Sequence, residues 1–227
     1  MKLNKWMTSF YEKNWFEVNS ETADSISSQS MFEWRVKSNE YENILIAQKL
    51  GYTLVESLVK FQTRIDDFNY EDLSEIRTAK PEDLEGVLQI LDYCVINNNN
   101  FVNRFKNRSY FSKDQSEKYY KSSVENFFNV DDPSTMIASD DEGVYGFRIM
   151  KYDNVTEEYT GVMTGVLDRA RGKRTLGKLQ NGMSKIINKP YVENNATNLG
   201  NYAVIKNHMR QNRILHEIEH IFYKLNG

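Results

Sequence analysis

Val166-Leu167-Asp168-Arg169-Ala170-Arg171-Gly172-Lys173-Arg174-Thr175-Leu176 is the stretch on which the reading of the fold turns. A largely apolar, strand-like run over 159–167 leads into it. A helix-period stripe of Leu176, Leu179, Met183, Ile186 and Ile187 leaves it. A strand therefore enters a tight basic loop, and the loop opens a helix. The first turn of a helix carries backbone N–H groups without intrahelical acceptors, and the helix dipole favours an anion there. The stretch reads as a cradle for a pyrophosphate. Gly165, Val166 and Leu167 form the approaching strand, and Arg171, Gly172, Lys173, Arg174, Thr175, Leu176 and Gly177 form the turn. A solvated basic loop with no ligand fits the same residues.

Working back from the loop, residues 135–138 and 144–150 flank the polar turn Asp140-Asp141-Glu142-Gly143, a hairpin signal, and Tyr145, Phe147 and Ile149 alternate as in a strand. Ser112 and Gln115 have the spacing of a capping box before a helix with Tyr120, Val124, Phe127 and Phe128 on its apolar face. Pro81, Glu82 and Asp83 suit the first turn of another helix, whose stripe is Leu84, Val87, Leu88, Leu91 and Val95. That helix ends in the run Asn97-Asn98-Asn99-Asn100, and a strand at Ile76-Arg77-Thr78 precedes it. Nearer the N-terminus, residues 31–36 alternate as a strand, and Asn39 followed by Glu42 signals a helix start. Gly51 stands where a left-handed C-terminal cap is wanted. Two strand-like runs follow, over 53–59 and 61–65, and the acidic stretch 66–75 reads as a linker.

Beyond the loop, the pattern predicts a strand over 192–197, a helix over 201–209 and a final strand over 217–223. The expected organisation is a small α/β domain over 1–70 and a second domain over 76–227 with the order β-α-α-β-β-β-α-β-α-β. The class is mixed α/β, and that order alone supports many functions.

Composition narrows the partners. The net charge is −3, and no apolar run approaches the roughly 20 residues of a membrane helix. No signal-peptide pattern follows Lys2 and Lys5. Cys94 is the only cysteine, so no intrachain disulfide forms, which fits the cytoplasm. The three histidines, His208, His216 and His220, match no zinc pattern, and no metal is expected. Arg169, Arg171, Lys173, Arg174 and Lys178 form too short a patch, without interleaved aromatics, to suggest nucleic acid.

The loop resembles that of the GCN5-related N-acetyltransferases, whose pyrophosphate turn reads Arg/Gln-x-x-Gly-x-Gly/Ala. Arg171-Gly172-Lys173 matches its common Arg-Gly-Lys form, and the chain departs from it at Arg174 and Leu176, where the family has small residues. A second stretch, Ala196-Thr197-Asn198-Leu199-Gly200-Asn201-Tyr202-Ala203-Val204-Ile205-Lys206, is similar to the bacterial TDP-fucosamine acetyltransferases. There a strand ending in Ala-Thr-Gln precedes Gly-Asn and a helix. Leu50-Gly51-Tyr52-Thr53-Leu54-Val55-Glu56, Asn103-Arg104-Phe105 and Trp15-Phe16 resemble further segments of that subfamily in the same order.

The resemblance implies a central mixed, mostly antiparallel sheet flanked by helices, with acetyl-CoA as cosubstrate and a nucleotide-linked amino sugar as acceptor. It leaves a homodimer open. It implies that Asn201 contacts the coenzyme, and that the general acid toward the departing thiolate stands seven residues later. That position is His208 rather than the family's tyrosine. Seven residues are nearly two helical turns, so Asn201 and His208 are expected on one side. A histidine can donate a proton or a hydrogen bond to a thiolate, with a charge that changes near neutral pH. Glu157, Glu158 or a chain of waters are candidates for the base. Cys94 is expected to lie away from these segments, and His216 and His220 to be structural. Two other readings fit: a GCN5-related enzyme acting on another small amine or a peptide, and a non-catalytic acetyl-CoA-binding protein.

Overall fold

A computed structural model describes residues 1–11, 13–24, 30–66, 73–128 and 135–226. Its strands are β1 (Lys2–Leu3), β2 (Asn14–Val18), β3 (Ser30–Lys37), β4 (Thr53–Ile65), β5 (Ile76–Thr78), β6 (Thr135–Asp140), β7 (Gly143–Asp153), β8 (Glu158–Val166), β9 (Tyr191–Asn198) and β10 (Ile214–Leu225). Its α-helices are α1 (Lys5–Tyr11), α2 (Tyr41–Lys49), α3 (Leu84–Leu91), α4 (Lys113–Phe128), α5 (Thr175–Ile187) and α6 (Tyr202–Arg210). The class is mixed α/β, as expected. Most of the sequence signals recur. Ser112 and Gln115 exchange their reciprocal capping bonds at 2.9 and 3.1 Å. Gly51 adopts a left-handed φ of 79°.

The chain forms two compact units, and neither is a continuous segment. Unit 1 comprises Met1–Phe61, Val102–Lys118 and Ala196–Gly227; unit 2 comprises Gln62–Phe101 and Tyr119–Asn195. The boundary expected between residues 70 and 76 thus falls inside unit 2. The reason is strand pairing: β10 pairs antiparallel with β3 from Glu219↔Lys37 to Leu225↔Met31, which ties the later strand to the earlier one.

Within unit 1, β2 runs parallel to β3 and antiparallel to β1. β3 is covered on both faces, so Ser30 through Trp34 are all buried and the strand loses its polar alternation. One face carries Val18, Phe32, Trp34, Val36 and Phe222, packed under Ala47 of α2. The other carries an aromatic cluster in which Trp15 meets Tyr223 at 5.1 Å, Phe111 at 5.7 Å and Tyr11 at 5.3 Å between ring centroids. The cap of α2 is Glu40 and not Asn39, and no side chain caps it. The two runs around Lys60 join into one strand, because that lysine bonds Glu217 and Glu219 of β10 at 2.9 and 2.8 Å.

Unit 2 is built on the meander β5–β6–β7–β8, antiparallel throughout, with β9 added parallel to β8. Asp141 and Glu142 make the β6–β7 turn, closed by Asp140 Oδ1 accepting from the Glu142 amide at 3.0 Å and by Gly143 at φ 106°. Leu179 and Met183 of α5 pack on Met136, Ala138, Tyr145 and Met150. Ile186 faces solvent instead of joining that stripe. In the stripe of α3, Ile90 is buried beside Val87 and Leu91, and after Leu91 the helix widens into a π turn, Asp92–Ile96.

One polar group lies inside this unit. Arg148 of β7, 5% exposed, donates to Glu193 at 2.5 Å and to Asn195 at 3.1 Å, both on β9. Asn195 in turn donates to Glu193 at 2.6 Å. Removing one partner of a buried pair leaves an uncompensated charge, whereas replacing both with packed apolar side chains is close to neutral. Arg148→Ala is therefore expected to lower unfolding stability by about 3–5 kcal/mol in urea titrations, and the double variant Arg148→Met, Glu193→Leu to lose markedly less.

Candidate functional site

The loop singled out in the sequence lies in unit 2, at the end of β8. Pairing of β8 with β9 runs from Glu158↔Val192 to Gly161↔Asn195 and stops there. At the same point the β7–β8 register shifts. Met150 pairs with Gly161 but Ile149 pairs with Met163, so Val162 is an extra residue in β8. From 162 to 166 the strand is paired with β7 on one edge only. About half of the N–H and C=O groups of such a strand point away from its antiparallel partner, which leaves hydrogen-bonding backbone along the other edge. Two glycines let this happen. A Cβ on Gly161 would stand 2.3 Å from Asn195 Oδ1, and one on Gly165 would stand 2.7 Å from Phe147 and 2.8 Å from Ile90.

After Val166 the chain makes a 3-10 turn, Asp168–Ala170, and then a basic turn into α5. Gly172 has φ 80° and Arg174 φ 59°, both left-handed. The second value gives the physical reason for a small residue there in the family pattern: a Cβ in this region costs about 1–2 kcal/mol. Thr175 is buried and ties the turn together, its hydroxyl donating to the Ala170 carbonyl at 2.9 Å. Arg174 supplies no side-chain cap. The amides of Thr175, Leu176 and Gly177 are therefore presented as helix-start donors without a side-chain oxygen from the cap residue. Leu176 is half-buried.

The loop cations are partly matched within unit 2. Arg169 pairs with Asp140 and holds that carboxyl below its usual range. Arg171 forms an ion pair with Asp168, and its Nε donates to the Val166 carbonyl at 3.3 Å. Lys178 lies 3.6 Å from Glu75, and Lys173 is exposed. Cys94 is close to this place and not away from it: its thiol donates to the Val166 carbonyl at 3.4 Å and lies 4.0 Å from an Arg171 nitrogen. The π turn carries it there, a feature with no sequence signal in a helix-period stripe.

Asn201 and His208 lie in unit 1. Asn201 is the N-cap of α6, its Oδ1 accepting from the Val204 amide at 3.4 Å. Being outside the helix, it is not aligned with His208 by the seven-residue spacing alone. His208 is buried, its ring 4.8 Å from that of Phe61. The turn before α6 is anchored by Asn198, which accepts from the Gly200 amide at 2.7 Å and donates to buried Glu56 at 3.0 Å. Glu56 also receives Arg104 at 2.7 Å. His220 bonds Ser57 at 2.9 Å, and His216 is exposed. Of the base candidates, Glu158 accepts from Asn194 at 2.6 Å and Glu157 stands exposed at φ 57°. Sequence reading missed Arg148, Glu193, Asn195, Asp168 and Tyr93. An arginine at an inward position of an alternating strand was the signal available for the first. Among the described residues no cluster of three or more His, Cys, Asp or Glu is placed to hold a metal ion, and no helix is long and apolar enough to cross a membrane.

No family model and no curated protein matches the sequence. Solved structures do. A GCN5-related N-acetyltransferase from Sphaerobacter thermophilus superposes with a TM-score of 0.60 at 12% identity, covering 87% of this chain and 60% of its own. This chain thus spans less than two thirds of that protein. A functionally unknown conserved protein from Staphylococcus epidermidis gives 0.63 at 12% identity, over 88% and 74%. A GCN5-related glucosamine N-acetyltransferase region of a fungal multi-domain β-N-acetylglucosaminidase gives 0.59 at 10%, over 86% and 25%. The likeness establishes the fold: a mixed sheet with flanking helices of the GCN5-related type.

Gly165 of β8 and Gly172 of the loop should respond differently to a methyl group. Gly165→Ala meets Phe147 and Ile90 and is expected to cost about 1–3 kcal/mol. Gly172→Ala meets nothing within 4 Å and should cost about 1 kcal/mol through its positive φ. Thermal unfolding of the two variants reads the difference.

Proposed function

We propose that the chain transfers the acetyl group of acetyl-CoA to an amine. The observation that carries this reading is the one-sided edge of β8 over 162–166, running directly into the basic turn that opens α5. An extended pantetheine arm, with its two amides, can add to such an edge as a peptide strand does. The diphosphate then falls at the first-turn amides of Thr175, Leu176 and Gly177, with Arg171, Lys173 and Arg174 supplying positive charge. Gly165, Val166 and Leu167 approach the arm through their backbone, and Gly172 lets the turn close.

Chemistry follows from position. A backbone amide on the β8 edge polarises the thioester carbonyl, and the neutral amine attacks it directly. The N–C bond forms and the C–S bond breaks. The amine's surplus proton passes to a base or to water, and the thiolate takes up a proton. Asn201 and His208, carried by α6, take the roles the resemblance implies: a contact to the coenzyme and the acid that protonates the thiolate. A neutral imidazole has one N–H to donate. The whole-chain resemblance supports a nucleotide-linked amino sugar as acceptor, in a cytoplasmic enzyme. Burial of His208 favours a second reading, a protein that binds acetyl-CoA without turning it over.

Calorimetric titration should give saturable acetyl-CoA binding, weakened at least tenfold by Arg171→Glu; unchanged affinity would remove the loop from the site. Screening nucleotide amino sugars, polyamines and peptides for thiol release identifies the acceptor. Release with none of them would favour the binding-only reading. With an acceptor in hand, His208→Phe should lower kcat by roughly 10²-fold or more, the usual scale for a lost general acid, while leaving coenzyme affinity within a few-fold.

A further inference from the structure

Helix α6 is held in unit 1 by little apolar contact. Of its nine residues only His208 is buried, its ring against Phe61. A helix this short is marginal in water by itself, so its place depends on what anchors its ends. Two neighbouring residues of β4 tie down its start. The Ser57 carbonyl accepts from the Leu199 amide at 2.8 Å. The Asn198 side chain supplies the other tie: its Nδ2 donates to Glu56 Oε1 at 3.0 Å, while its Oδ1 accepts from the Gly200 amide at 2.7 Å. The Asn198 carbonyl also accepts from the amide of Asn201 at 2.9 Å, and Asn201 caps the helix. Glu56 is itself fixed. Its side chain is 4% exposed, and its second oxygen accepts from Arg104, 11% exposed, at 2.7 Å. A hydrogen bond to a buried, ion-paired carboxylate is among the stronger polar contacts a side chain can make.

We propose that Asn198 is a positioning residue: it fixes the start of α6 against the Glu56–Arg104 pair, and with it the direction in which Asn201 and His208 are presented. The proposal rests on the reading of α6 as the carrier of the coenzyme contact and the acid. Asn198 acts through Asn201 and the helix, and both ends of its side-chain amide are committed to that task. An alanine at 198 gives up both bonds. The tie from Leu199 to Ser57 uses backbone atoms alone and survives the change. The loss is therefore a local loosening of α6 and not an unfolding of unit 1. What Asn198 needs at position 56 is an oxygen to accept its N–H. The charge of Glu56 is matched by Arg104, so the two charges can be removed together while the acceptor is kept.

Hydrogen exchange of the intact protein tests this, with residues 202–210 of α6 read against residues 30–37 of β3 as a reference for unit 1. Asn198→Ala is expected to speed exchange in α6 by roughly tenfold or more, the scale of a lost bond to a charged group, and to change β3 far less. Two double variants isolate the acceptor without stranding a buried charge. Arg104→Met with Glu56→Leu removes the acceptor, and Arg104→Met with Glu56→Gln replaces it with a neutral oxygen. Exchange in α6 should quicken in the first and return toward wild type in the second. With Asn201 on the coenzyme, Asn198→Ala should also bind acetyl-CoA roughly two- to tenfold more weakly, the scale of one misaligned hydrogen bond. Equal α6 exchange in the two double variants overturns the proposal, and so does equal acceleration of α6 and β3 in Asn198→Ala. Quickened α6 exchange with unchanged acetyl-CoA affinity overturns the coenzyme contact read for Asn201 and leaves the placement of α6 by Asn198 standing. A wild type that binds no acetyl-CoA overturns the acetyltransferase reading, and the exchange rates still decide the placement of α6.

Discussion

The buried contact between Arg148 and Glu193 is the constraint from which the geometry of unit 2 follows. Two charges taken out of water gain little net stability from each other, and an apolar pair would pack as well. What they supply is direction. Arg148 bonds Glu193 and Asn195, two residues of one β9 face, while Gly161 of β8 leaves the room that Asn195 occupies. A slip of one residue in β9 would turn both partners to the opposite face and strand the guanidinium. The last β8–β9 pair therefore stays at Gly161↔Asn195, and the one-sided edge begins where the extra residue Val162 has already bent the strand.

The loop after that edge balances two demands. It must turn sharply enough to point helix-start amides outward, and it must not fold its own side chains over them. Gly172 meets the first at no steric cost. Arg174 meets it with a left-handed backbone that strains an L side chain, which sets its positive charge beside the first turn. Most of the local charge is already balanced by Asp140, Glu75 and Asp168, so the loop is less electropositive than its composition suggests.

Local signals in the sequence were reliable where the physics is local. The capping box at Ser112, the two-residue turn before Gly143 and the left-handed Gly51 depend on neighbours within a few positions. The strand–loop–helix that carries the candidate site was legible for the same reason. What was not legible depends on distant partners. Nothing near Arg148 announces Glu193, 45 positions away. The single strand β4 read as two because Lys60 looks like a break until Glu217 and Glu219 are brought beside it. Trp15 and Phe16 face opposite sides of a sheet covered on both, so β2 shows no alternation to read. Cys94 was misplaced because a π turn shifts residues around the helix axis without altering the apolar stripe.

The discontinuity of unit 1 has a bearing on how the chain is made. Strand β3 leaves the ribosome well before β10, with five consecutive buried residues and no partner on the side that β10 will fill. Residues 62–195 hold all of unit 2 and can close its antiparallel meander from neighbouring segments as they appear. Residues 30–37 must wait for residues 214–225. Until residues 214–225 have been made, β3 therefore carries an exposed, aggregation-prone edge. This is the period in which a chaperone would be needed most.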